Sequence, residues 1–183
     1  YFRITVFYYN PNITERAEYR KRVQEEIRLI EAYNRQAEEW REDETMSKPD
    51  SGETAGLDET DKQRQTKKLH RIEIIEGDYE PDCFLELARG LEECKEGGVR
   101  CFRCYVLRLR KTAELARKKE FDYFTTTLTI SPLKNVAKLN EIGERLAEEC
   151  GVRWLPSDFK KRGGYQRSIE LSKEYGLYRQ NYC

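Results

Sequence analysis

A chain of 183 residues can bury one hydrophobic core without disulfide staples, and its 34 basic side chains balance its 34 acidic ones. Net charge therefore excludes any whole-chain argument for nucleic acid, membrane or acidic partners; only local patches can carry one. No run reaches membrane-spanning length, and the opening Tyr1-Phe2-Arg3-Ile4 lacks the basic-then-apolar pattern of a secretion signal, as expected of a cytoplasmic protein.

The first element is the β-branched and aromatic run Ile4-Thr5-Val6-Phe7-Tyr8-Tyr9, closed by the turn residues Asn10-Pro11-Asn12. Its apolar density suits a parallel strand covered on both faces. A long amphipathic helix is predicted over 14–42, with Thr14 as N-cap and Ala17, Val23, Ile27, Ile30 and Tyr33 at helical spacing. The segment 43–68 is rich in charge, Gly and Pro and reads as a mobile, solvent-exposed polar insertion. A second strand, Arg71-Ile72-Glu73-Ile74-Ile75, is followed by Gly77-Asp78-Tyr79 and by a helix opening at Pro81.

Gly97-Gly98 then precede a basic helix running to about Lys119. A third strand is predicted over 121–128, a helix over 136–149, a short strand over 152–155, and a last helix to Tyr175 with Gly176 as its C-cap. Strands alternate with helices without hairpin signals. The chain therefore reads as one α/β domain over 1–183, its largely parallel sheet flanked by helices.

The chemistry concentrates in Arg100-Cys101-Phe102-Arg103-Cys104-Tyr105. Two thiols at i and i+3 of a helix point the same way and can share a metal, an iron–sulfur cluster or a disulfide. Six cysteines also permit a secreted disulfide scaffold, but the size and periodic helices of the chain do not require one. Cys83, Cys94 and Cys150 read as small buried residues, and His70 alone cannot build a histidine-rich metal site. Basic residues beside the thiols, the loop Lys160-Lys161-Arg162-Gly163-Gly164-Tyr165 and the tail Tyr178-Arg179-Gln180-Asn181-Tyr182-Cys183 mix cations, rings and amides. That mixture suits nucleotide phosphates, bases and base edges. From the residues alone this is a metallo- or redox enzyme acting on a nucleotide.

Several separated motifs together resemble the QueH type of epoxyqueuosine reductase. They are Phe7-Tyr8-Tyr9-Asn10-Pro11-Asn12-Ile13, Gly77-Asp78-Tyr79, Arg100-Cys101-Phe102-Arg103-Cys104, Phe124-Thr125-Thr126-Thr127-Leu128 with Ser131-Pro132-Lys134-Asn135, Phe159-Lys160-Lys161 with Gly163-Gly164-Tyr165, and Leu177-Tyr178-Arg179-Gln180-Asn181-Tyr182-Cys183. The resemblance spans nearly all of the chain except the insertion. It implies a fold of the nucleotide alpha-hydrolase or PP-loop type. It also implies cobalamin-independent reduction of epoxyqueuosine to queuosine at the wobble position of a tRNA with a GUN anticodon, the last step of queuosine formation.

The same resemblance implies a [4Fe-4S] cluster, an adjacent second iron or other metal ion, and an electron donor of unspecified identity. Cys101 and Cys104 match two of four cluster ligands. The other two are an adjacent Cys-Cys pair after a strand expected ahead of Tyr1. Cys183 matches the first thiol of a Cys-Gly-Cys redox pair whose partner is expected two residues further on. Asp78, Tyr79 and Tyr182 are candidate proton donors. Arg100, Arg103, Lys134, Lys160, Lys161 and Arg179 are candidate tRNA phosphate contacts. The alternatives are a zinc-stabilised α/β RNA- or nucleotide-binding module and an ATP-using tRNA thiolase of the PP-loop kind; no SGGxDS loop occurs in these residues.

Overall fold

The computed structural model describes residues 2–46 and 70–179. Most of the expected insertion, together with Tyr182 and Cys183, lies outside the described residues. The elements in chain order are β1 (Thr5–Tyr8), α1 (Arg16–Met46), β2 (Glu73–Glu76), α2 (Pro81–Ala88), α3 (Val99–Lys118), β3 (Tyr123–Phe124), a short 3-10 turn (Thr127–Ile130), α4 (Val136–Cys150), β4 (Arg153–Trp154) and α5 (Gly164–Glu174).

The architecture is mixed α/β and rich in helix. Among the described residues the strands form two separate parallel pairs rather than one sheet: β1 with β2, and β3 with β4. The predicted strand over 121–128 is correspondingly short. After Phe124 the threonines leave the extended state, because the Thr126 hydroxyl accepts the Leu128 N–H at 3.2 Å and caps the 3-10 turn. A local side-chain bond of this kind competes directly with a strand ladder. Helix α1 begins at Arg16, and Glu15 rather than Thr14 reaches an early amide: its carboxylate accepts the Ala17 N–H at 3.4 Å.

Two cores result. In one, Tyr105, Leu109, Ala113 and Ala116 of α3 meet Leu139, Ile142 and Leu146 of α4, with Phe124, Val152 and Trp154 from the β3–β4 side. The 105/109/113/116 spacing is one helical stripe. Glycine at 143 lets α4 approach the indole: a Cβ there would lie 2.3 Å from Trp154 ring carbons. Asn140 closes the same corner, accepting the Trp154 indole N–H at 3.1 Å and donating to the Ser157 carbonyl at 3.0 Å.

The other core is smaller and aromatic. Tyr8, Ile13, Tyr19 and Val23 pack α1 onto β1, and Tyr19 donates its hydroxyl to the Gly77 carbonyl at 2.9 Å. Asn34 exchanges two bonds with the Ile72 backbone, at 2.9 and 2.8 Å, so α1 also holds the entry to β2.

Substituting Gly143→Ala is expected to force the indole aside and cost about 1–3 kcal/mol of stability, read as a lower urea midpoint with an unchanged slope.

Candidate active site

Helix α3 starts where two glycines let the chain turn sharply. Gly97 has φ +83, a conformation that L side chains rarely adopt, and Gly98 is the extended N-cap. The turn brings the Gly97 N–H within 3.3 Å of the Cys101 sulfur, to which it donates. Cys101 is thus held in the first turn, at the positive end of the helix, where an anionic ligand is favoured. Cys104 follows on the next turn and is buried.

At 100° per residue, Cys101, Cys104 and Arg108 share one face of α3, beside the stripe buried in the larger core. Arg108 donates from Nε to the Tyr9 carbonyl at 3.2 Å, tying the thiol face to the end of β1. Arg108 also enters the wall of a cavity of about 590 Å³ along β1 and beyond its C-terminal end. The wall includes Asn10, Asn12, Arg22, Glu26, Lys134 and Tyr178. Neither cysteine reaches the cavity wall; Arg108, two turns along from Cys101, makes the connection.

Three features suit this cavity to a polar ligand. The Asn12 Oδ1 is buried without a hydrogen-bond partner among the described residues. The cationic residues Arg22, Arg108 and Lys134 line the same wall, Arg22 paired with Glu18 at 2.7 Å. Burial raises the Glu26 pKa above the ordinary 4.5, with no opposing contribution. Tyr8 lines the same cavity, and burial pushes its phenol up to about 12 despite nearby Arg22 and Arg108.

The remaining residues singled out from sequence are spread out. Lys134 is buried and pairs with Glu96 at 2.8 Å in the cavity wall. Arg100 donates to the Glu92 carbonyl at 2.8 Å, and Arg103 is exposed near the Leu87 carbonyl at 3.4 Å. Lys161 and Arg179 are exposed and Lys160 is half-buried. Tyr79 donates its hydroxyl to the Thr14 carbonyl. Asp78 lies at a second cavity of about 310 Å³, with Phe7, Tyr9, Glu80 and Lys111. There the Lys111 ammonium and the Tyr9 hydroxyl bind Glu80 at 3.0 and 2.9 Å, holding its carboxyl below the usual range; burial, and then the bond to Glu80, push the Tyr9 phenol up.

Asn12 and Arg108 belong to segments already conspicuous in the sequence. Arg22 and Glu26 do not, since on α1 they resemble any charged positions of an amphipathic helix. Only their one-turn spacing could have paired them.

No group of three or more His, Cys, Asp or Glu able to hold a metal occurs among the described residues. Cys101 and Cys104 could supply two sulfur ligands, half the set that a four-iron cluster takes. Their common orientation and their position at a helix start fit that half.

Glu26 provides a stability test. Its folded pKa lies above the unfolded value, so folding takes up a proton, and the charged form becomes a cost as pH rises through the folded value. Glu26→Gln should therefore be more stable than the parent at neutral pH. The difference should vanish well below the ordinary 4.5, measured by urea melts at both pH values.

The family model described as epoxyqueuosine reductase QueH matches residues 1–50 and 53–183. Among curated relatives, the epoxyqueuosine reductase QueH of Streptococcus pyogenes serotype M1 is 36% identical over 180 residues, covering 98% of this chain and 58% of the relative. That of Staphylococcus epidermidis is 33% identical over 185 residues, covering 100% of this chain and 65% of the relative. That of Thermotoga maritima is 47% identical over 88 residues, 48% of this chain and 46% of the relative. The chain thus spans roughly three fifths of the length of the first two relatives, at 58% and 65%. With its motifs in order and the family model matched over nearly all of its residues, the chain belongs to the epoxyqueuosine reductase QueH family.

Proposed function

We propose that the protein containing this chain reduces epoxyqueuosine to queuosine at the wobble position of tRNA, as a cytoplasmic oxidoreductase closing queuosine biosynthesis. The observation that carries the reading is the shared face of α3, which sets the Cys101–Cys104 pair in line with Arg108 at the cavity. The fold type in this reading is the nucleotide alpha-hydrolase or PP-loop type; parallel pairing in both strand pairs supports it. Residues 1–183 form its α/β catalytic domain.

The reaction takes two electrons and two protons per epoxide and yields an alkene and one water. A [4Fe-4S] cluster held in part by Cys101 and Cys104 would supply one-electron chemistry, with a second metal ion beside it. The residues of this chain do the rest. Asn12 and the guanidinium groups of Arg22 and Arg108 orient the modified nucleoside in the cavity. Glu26 is the candidate proton donor to the leaving oxygen, because burial shifts its carboxyl toward the neutral form. This assignment is preferred to Asp78, which lies at the other cavity, and to Tyr79, whose hydroxyl proton is engaged by Thr14. Tyr182 stays a candidate from the sequence.

Cys183 acts as one thiol of a dithiol. Forming its disulfide releases two electrons and two protons, the quantity one turnover consumes. The exposed Arg103, Lys161 and Arg179, with Arg100 and Lys160, meet the phosphates of the tRNA. Lys134 is assigned instead to the cavity wall.

The test uses protein at its natural termini, purified anaerobically. About four irons and four sulfides per chain are expected for this cluster type, with a visible band that bleaches on reduction and conversion of epoxyqueuosine-containing tRNA. Cys101→Ala should strip the iron and sulfide. Cys183→Ala should retain both and abolish turnover. Stoichiometric zinc without sulfide would instead establish the zinc-stabilised RNA-binding module.

A further inference from the structure

Two aromatic side chains stand exposed on the loop that enters α5, and neither belongs to a core. Phe159 is 44% exposed and Tyr165 38%. Neither ring stacks on another aromatic ring among the described residues. The loop that carries them is held from below. The Phe159 N–H donates to the Thr129 hydroxyl at 3.4 Å, and that fully buried hydroxyl shares a hydrogen bond with the Ser157 hydroxyl at 3.1 Å. Arg162 and Gly163 take φ +52 and +76, in the left-handed region, and the Gly164 N–H then donates to the Lys161 carbonyl at 3.0 Å. A Cβ at Gly164 would collide with the Phe159 carbonyl oxygen, so the chain folds back with Phe159 against the residue before Tyr165.

The loop stands at the edge of the large cavity. A Cβ at Gly164 would lie 3.7 Å from the Ile130 side chain, and Ile130 lines that cavity together with Leu133, itself 67% exposed. Residues 158–165 are outside the lining. Between the two rings in sequence come Lys160, Lys161 and Arg162. Lys161 meets Asp158 at 3.5 Å, whereas Lys160 and Arg162 make no ion pair among the described residues. An apolar protein surface laid over this patch would leave those cations desolvated and unpaired. Single-stranded RNA offers both partners at once, planar bases for the rings and phosphates for the cations.

We propose that Phe159 and Tyr165 stack the unpaired nucleotides next to the base that enters the cavity, while Arg162 binds a phosphate of the same strand. The inference rests on the tRNA reading proposed above and adds to it the contact that recognises the loop rather than the modified base. A base acted on in a cavity has to leave its stack, and its neighbours then lose a stacking face. Rings at the cavity edge restore that face. They do so for any base, so the platform selects an open loop rather than a sequence.

The test uses protein at its natural termini and a synthetic anticodon stem-loop with aminopurine beside the wobble position. Anisotropy of a dye on the stem gives the affinity, and aminopurine emission at saturating protein reports stacking. The parent should quench the emission. Phe159→Ala and Tyr165→Ala should each restore it and raise Kd about tenfold, within the range of one stacked base. Phe159→Trp and Tyr165→Phe should keep both the quenching and the affinity. Arg162→Gly, which suits the left-handed backbone, should leave the emission quenched and lower the salt slope of log Kd by roughly 0.7. A fully paired RNA of the same length should bind the parent and the two alanine variants alike. Unquenched emission on the parent overturns the inference, as do unchanged Kd and emission in both alanine variants. Equal losses on the paired RNA mark a phosphate contact alone and overturn the stacking. So do losses that Phe159→Trp and Tyr165→Phe share with the alanine variants, which mark a folding contact. Self-association of the parent that Phe159→Ala abolishes at unchanged RNA affinity assigns the patch to a second copy instead. A parent that binds and quenches but does not convert epoxyqueuosine-containing tRNA refutes the proposed activity and leaves the stacking in place.

Discussion

Helix α3 must satisfy two demands at once, and the rest of the structure depends on how it does so. Its stripe of Tyr105, Leu109, Ala113 and Ala116 is buried against α4, Phe124 and Trp154. The adjoining face carries Cys101, Cys104 and Arg108 to the end of β1, where Arg108 binds the Tyr9 carbonyl. Rotating the helix to improve one face would pull the other away. The packing of that stripe against Leu139, Ile142 and Leu146 of α4 makes such rotation costly, since a packed interior transmits displacements instead of absorbing them.

The large cavity follows from this arrangement. One wall is β1 with the turn after it; another is the segment 127–134; α1, Glu96, Arg108, Leu177 and Tyr178 supply the rest. These come from distant parts of the chain and meet because α1 packs on β1 through Tyr8, Tyr19 and Val23. The thiols stand beside the cavity without lining it. The Cys101–Cys104 pair is thereby separated from the cavity wall, and Arg108, on the same helix face and in that wall, joins the two.

Charge is used locally throughout. The overall balance of 34 and 34 conceals cations turned inward at the cavity, exposed ones near the glycine loop and the chain end, and a charged stripe of α1 that holds backbone. Similar side chains thus perform three different tasks. Their position relative to the two cores separates those tasks.

The sequence by itself determined the order and most boundaries of the elements, because hydrophobic periodicity and glycine placement act over short distances. β1, α1, α3 and α4 lie where periodicity puts them, and Gly98 starts α3. The CxxC pair and the family motifs were likewise legible as local strings. Only the tertiary structure decided the rest. Threonine capping ended β3 early, and the strands paired as two couples among the described residues. Lys134 was drawn into the wall by Glu96, Asp78 went to the second cavity, and Arg22 with Glu26 came to the first. Each of these depends on contacts between residues remote in sequence, and no local pattern encodes which charged residue of a helix will find a distant cavity rather than solvent.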